Sequence, residues 1–211
     1  MSENNSINDI LNVFSNMEGS SKYITDVEYQ FYSADNDAEA ARLAIEAKEK
    51  GYSHCLFDYV IGFCFNNGRG GLPLDKKKAG QFFFESAETR DASGSYYNDK
   101  HANESRVILA EDYAIHDNQF CVLNTDKAIE YCIVILDHNH CPDDALLYLT
   151  MIFSMPKFGR QDIEKAIEYC DRWKNIASDP DSRARAISMR QQLEGLRPKS
   201  RKMFGGFFGR H

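Results

Sequence analysis

A block recurs along this chain as Asp75-x-x-Lys78-Ala79-x-x-Phe82, Asp126-Lys127-Ala128-x-x-Tyr131 and Asp162-x-x-Lys165-Ala166-x-x-Tyr169, with a diverged earlier copy at Glu39-Ala40-x-x-Leu43. A second element precedes each of the last three: Ile61-Gly62-x-x-Phe65-x-x-Gly68, Leu109-Ala110-x-x-Tyr113-x-x-His116 and Leu149-Thr150-x-x-Phe153-x-x-Pro156. The separation hardly changes from Ile61 to Lys78, Leu109 to Lys127 and Leu149 to Lys165, so the two elements hold phase even where loops differ. Self-similarity at a period of roughly 40 residues marks stacked supersecondary units, each long enough for two short helices.

Ile61 with Phe65, Leu109 with Tyr113 and Leu149 with Phe153 place a large apolar side chain and an aromatic four residues apart, on one helical face. The small residue after each first position lets a neighbouring helix approach closely. In the second element, Ala79, Ala128 and Ala166 stand three before Phe82, Tyr131 and Tyr169, again pairing a small contact point with an aromatic knob. Two such helices make a hairpin whose apolar face only the next hairpin can cover.

These residues resemble the Sel-one-like repeats, close relatives of tetratricopeptide repeats. That pattern runs Leu-Gly-x-x-Tyr-x-x-Gly, a short Gly-containing loop with Asp, then Lys-Ala-x-x-Tyr and a pair of alanines. The unit from Ile61 to Ala87 follows it most closely, with Gly62, Phe65, Gly68, Gly70, Asp75, Lys78, Ala79, Phe82, Ser86 and Ala87 in place. Later copies have drifted, Ala110 and Thr150 replacing the first Gly and His116 and Pro156 the second. The resemblance covers residues 36–196. It implies an all-α fold, an α/α superhelical solenoid of three to four stacked helix-turn-helix repeats with a C-terminal capping helix. It also implies a curved scaffold that binds other proteins and is not an enzyme.

Residues 1–35 read as an N-terminal extension in which Ile7, Ile10, Leu11 and Phe14 predict a short capping helix, broken by Gly19-Ser20-Ser21. Pro180 opens a last helix through Leu196, whose Arg183, Arg185, Arg190, Gln191 and Gln192 give it the polar face of a closing cap. Residues 197–211 form a basic tail with Arg197, Lys199, Arg201, Lys202 and Arg210 among Phe204, Phe207, Phe208 and glycines, expected to be flexible. Such a tail could dock in an acidic groove, touch anionic lipid or brush nucleic acid.

The chain carries 43% hydrophobic and 27% charged residues, ordinary for a globular domain, and its net charge of −7 argues against nucleic acid as main partner. No run reaches the ~18 apolar residues of a membrane span. The start has neither basic nor apolar leader character, so a cytoplasmic protein is expected. Some secreted relatives of the family staple each hairpin with a disulfide. Here Cys132 and Cys170 follow the second-helix aromatic while Cys55 and Cys121 have no counterpart, so with Cys64 and Cys141 all six are expected as free thiols.

Chemistry is sparse. His138, His140 and Cys141, flanked by Asp137, Asp143 and Asp144, hold ligand types for zinc, yet they fall at the turn between hairpins. Pro142-Asp143-Asp144 reads as a helix start, and no second ligand pair stands at metal spacing. Gly68-Arg69-Gly70-Gly71 sits where the repeat already requires glycine. No cofactor, metal or catalytic residue is therefore expected.

Binding is expected on the first helix of each hairpin, two residues either side of its anchor, at Tyr59 and Phe63, Val107 and Glu111, and Leu147 and Met151. A longer connection, Asp91 to Glu104, adds Tyr96 and Tyr97 as edge-loop anchors. The expected function is a non-catalytic module holding a basic protein partner in its groove, as an adaptor or, among bacterial proteins resembling this family, an immunity protein neutralising a toxin. The alternatives are a hydrolytic enzyme of the cysteine-rich Sel-one-like type and a membrane-proximal scaffold using the tail.

Overall fold

Asparagine and aspartate side chains set where the helices start. In the computed structural model, which describes residues 19–197, Asp75, Asn124 and Asp162 accept hydrogen bonds from the backbone N–H of Lys78, Lys127 and Lys165 at 3.0, 2.9 and 3.0 Å. The recurring Asp-x-x-Lys is thus a helix N-cap, a contact worth about 1 kcal/mol. In the middle copy the cap is Asn124 and not Asp126, which falls in the first turn and pairs with Arg160. Asn36, Asp99 and Asp179 cap three further helices in the same way.

The described chain opens with helix α1 at residues 19–28, which loosens into a π-helical turn at Tyr29–Ser33. Then follow α2 (Asp37–Glu49), α3 (Cys55–Asn67), α4 (Lys76–Ala87), α5 (Lys100–Ile115), α6 (Thr125–Asp137), α7 (Pro142–Ser154), α8 (Ile163–Ile176) and α9 (Pro180–Leu196). Each packs on the next in chain order, and α3 also packs on α5, α5 on α7 and, more lightly, α7 on α9. Helices α3, α5, α7 and α9 therefore make one contiguous layer, with α4, α6 and α8 alternating behind it. Among the described residues the only strand-like pairing is the isolated bridge between Arg90 and Tyr96.

Close approach explains the small residues. A Cβ on Gly62 would sit 3.0 Å from the Phe83 ring, and one on Gly80 would sit 2.5 Å from Phe120 Cβ, so α3 meets α4, and α4 the turn before α6, at near-backbone distance. Within two hairpins the aromatic knobs of the two helices pair with each other. Phe65 stacks on Phe82 at 5.8 Å and Phe153 on Tyr169 at 5.7 Å, interactions worth about 0.5–1.5 kcal/mol beyond burial. The repeat lysines finish these staples, Lys78 Nζ lying 5.3 Å from the Phe65 ring and Lys165 Nζ 4.9 Å from that of Phe153.

The structure departs from the sequence pattern at two places. Gly19, Ser20 and Ser21 lie within α1 and do not break it, because the helix is held by tertiary burial: Val27 is fully buried and Tyr23 packs on Tyr52. The Asp91–Glu104 connection is shorter than its sequence bounds, since Asp99 caps α5 and helix runs from Lys100. It is also ordered, with Asp91 Oδ1 accepting from the N–H groups of Ser93 and Ser95. The helix expected at Ile7–Phe14 and the tail beyond Arg197 lie outside the described residues. All six cysteines are free thiols, with only Cys121 and Cys141 exposed.

Candidate partner-binding face

The odd-helix layer presents a repeating accessible stripe. Tyr59, Phe63 and Asn66 on α3, Glu104, Ile108 and Glu111 on α5, and Asp144, Leu147 and Met151 on α7 are each partly exposed at three- or four-residue spacing. Of the groove residues expected from sequence, Tyr59, Phe63, Glu111, Leu147 and Met151 fall on these stripes. Val107 does not: it is 8% exposed and joins the main core. The physical reason is that α5 is flanked by α3 and α7 as well as α4 and α6, so its accessible arc is narrow and Ile108 takes the position assigned to Val107.

Tyr59 and Phe63 are partly occupied from within. Phe31, from the π-helical turn, packs edge-on against both, at 6.1 and 5.1 Å between centroids. Below them Tyr59, Phe63, Ile108, Glu111 and Phe120 line a hollow of about 510 Å³ between α3 and α5. Towards α7 the surface becomes acidic. Burial first, then the neighbouring Glu111 and Asp143, push the carboxyl of Asp144 up. Burial and the same kind of neighbour, Glu111 and Asp144, also raise Tyr148. Among the described residues Glu104 and Glu111 pair only with histidines, His140 at 3.3 Å and His116 at 3.6 Å. Among the described residues no lysine or arginine makes an ion pair with them, though Lys76 lines the same hollow as Glu111.

The edge connection divides its two tyrosines. Tyr97 is 38% exposed. Tyr96 is turned inward: its hydroxyl donates to Glu130 at 2.6 Å and accepts from Lys127 at 3.0 Å, and the Arg90 guanidinium lies 3.4 Å from its ring centroid. Its ring and hydroxyl are committed to intramolecular contacts. Lys127 and Tyr131 are drawn to the same place, which is why the middle hairpin lacks the stacked pair of the other two.

The His138-to-Cys141 cluster splits. His138 Nδ1 lies 2.8 Å from Asn103 Oδ1, and burial with the nearby Arg106 lowers its pKa. His140 and Cys141 face Glu104 on α5, a neighbour that no local spacing announces. A second grouping, His54, Cys55 and Asp99, was likewise invisible in the sequence. There the thiol of Cys55 donates to Asp99 at 2.9 Å and His54 Nδ1 accepts from the Leu56 N–H at 3.2 Å. Burial, with the hydrogen bond to Asp99, pushes the Cys55 thiol far up and so favours its protonated, hydrogen-bonding form.

No protein-family model and no curated protein matches the chain. Among the described residues no helix is long and apolar enough to cross a membrane.

Proposed function

We propose that this chain is a non-catalytic protein-interaction module whose hairpins stack as an α/α superhelical solenoid of the Sel-one-like, tetratricopeptide-like kind, holding a basic segment of another protein against α5 and α7. The superhelical reading is supported by the packing of α3 on α5 and α5 on α7, which draws one layer together relative to the helices behind it. The observation that carries the functional reading is the cluster of Glu104, Glu111 and Asp144 beside Leu147 and Met151. Elsewhere the carboxylates of Glu39, Glu46, Glu88, Asp126 and Asp171 are neutralised by lysine or arginine. A face left acidic next to apolar anchors suits a lysine- or arginine-rich partner and speeds its encounter. Toxin neutralisation by an immunity protein and recruitment by an adaptor are the two roles such a face fits.

The test is affinity capture with the wild type and with a Glu111→Lys/Asp144→Lys variant of matched unfolding behaviour. A protein captured by the first and lost by the second is expected, with association slowing about tenfold between 50 and 200 mM salt, in line with electrostatic steering. Equal capture by both chains refutes the acidic face as the docking surface.

A further inference from the structure

The turn between α6 and α7 carries two side chains, His140 and Cys141, to which the proposed partner binding gives no role. His140 ends the α6 turn, its backbone N–H donating to Ile135 at 3.0 Å, and Cys141 follows in the left-handed region at φ 43°. Left-handed backbone is unfavourable for a side chain with a Cβ, and here it turns the chain abruptly into Pro142 and α7. The two side chains converge on Glu104, one turn into α5. A carboxylate oxygen, an imidazole nitrogen and the thiol sulfur all lie within 4.8 Å of one another. His140 Nε2 is buried and makes no hydrogen bond among the described residues, Glu104 Oε1 at 3.3 Å lying out of hydrogen-bonding line. A buried ring nitrogen without a partner is costly unless something fills the position.

We propose that Glu104, His140 and Cys141 form a binding site for a zinc-class divalent cation, bridging α5 to the start of α7. The donor set decides the class: thiolate and imidazole beside one carboxylate suit zinc and its soft or borderline neighbours, whereas magnesium and calcium take oxygen throughout. Zinc holds such ligands at about 2.0–2.3 Å, which places tetrahedral donors roughly 3.5 Å apart, so the three side chains need to draw in by about 1 Å. On binding, Cys141 releases its thiol proton to solvent and the thiolate coordinates. The His54, Cys55 and Asp99 grouping differs because its atoms already have partners, Cys55 on Asp99, the Leu56 N–H on His54 and the His101 N–H on Asp99, and it serves as an internal control.

The site shares Glu104 with the proposed partner face, but it rests on the convergence of His140 and Cys141 on that carboxylate, and its test reads metal binding alone. It is tested by titrating the reduced, metal-free full chain with cobalt(II), a spectroscopic stand-in for zinc. One equivalent is expected to produce the near-ultraviolet thiolate-to-cobalt absorption, displaced by zinc. Cys141→Ser should abolish that band, His140→Gln and Glu104→Gln should weaken binding about tenfold or more, and Cys55→Ser and Cys121→Ser should retain the band. Should Cys141→Ser melt differently from the wild type, the His140→Gln and Glu104→Gln titrations decide. Absence of the band in the wild type, its survival in a folded Cys141→Ser chain, or undiminished affinity in both other variants overturns the site.

Discussion

Asp99 shows how much one side chain can be asked to do. It caps α5 by accepting from the His101 N–H at 2.8 Å, takes the Cys55 thiol at 2.9 Å and lies 3.2 Å from His101 Nδ1. Burial pushes its carboxyl up, but the hydrogen bonds from His101 and Cys55 outweigh burial and hold it well below the usual carboxylate range. The native carboxylate therefore binds its proton more weakly than the unfolded chain does, whose aspartates titrate near ~3.9. A depressed native pKa contributes stability that is present above about pH 4 and is lost as pH falls below it. Asn caps a helix as well as Asp but carries no charge. Asp99→Asn is thus expected to cost about 1–2 kcal/mol at pH 7 and to shrink the loss of stability on going to pH 3. Urea unfolding followed by circular dichroism at both pH values checks this; equal acid losses in the two chains would show that Asp99 is not the group responsible.

At the scale of elements, the connection between α4 and α5 is governed by a cation. Arg106 is fully buried, donating from Nε to the Ala87 carbonyl at 3.0 Å and from Nη1 to the Tyr97 carbonyl at 3.1 Å and Asn103 Oδ1 at 2.6 Å. Its guanidinium also lies 4.9 Å from the Tyr96 ring centroid. One side chain thereby ties the end of α4, the connection and α5 together. Lysine cannot reproduce this planar fork, so Arg106→Lys is expected to lose about 3 kcal/mol and to free the connection locally. Faster trypsin cleavage after Arg90, located by mass spectrometry, is the readout, and an unchanged cleavage rate would sink the assignment. Caps and four-residue apolar spacing are local chemistry, so α3, α4 and α8 were legible from Ile61, Asp75 and Asp162, and α9 from Pro180. The burial of Val107, the inward turn of Tyr96 and the meeting of Glu104 with His140 depend on which helices flank α5. Nothing within a few residues of those positions encodes that. The helical state of Gly19-Ser20-Ser21 was likewise hidden, since it rests on packing of Val27 and Tyr23 against later elements.

Over the whole molecule, burial is nearly continuous, one core running from Val27 to Leu193, with a small second cluster of Leu146, Trp173, Ala177 and Ala186 where α7, α8 and α9 meet. On the proposed solenoid reading, stability is a sum over neighbouring layers. Trp173, the only tryptophan of the chain, sits in that end cluster and donates from its indole Nε1 to Ser182 Oγ at 2.9 Å, while Ser182 in turn reaches Asp143 at 3.1 Å. The hydroxyl thus bridges α9 to both α8 and the first turn of α7. Removing it leaves a buried indole N–H without an acceptor, at a cost of about 1–3 kcal/mol confined to the end of the stack. In the wild type, tryptophan fluorescence and backbone circular dichroism are expected to report the same urea midpoint. In Ser182→Ala the fluorescence midpoint should move to lower urea than the circular dichroism midpoint, because α9 parts from α8 before the layers behind it unfold. If the two signals instead shift together, the end layer is coupled to the rest as tightly as the interior layers are to each other, and the additive picture of neighbouring hairpins fails for this protein.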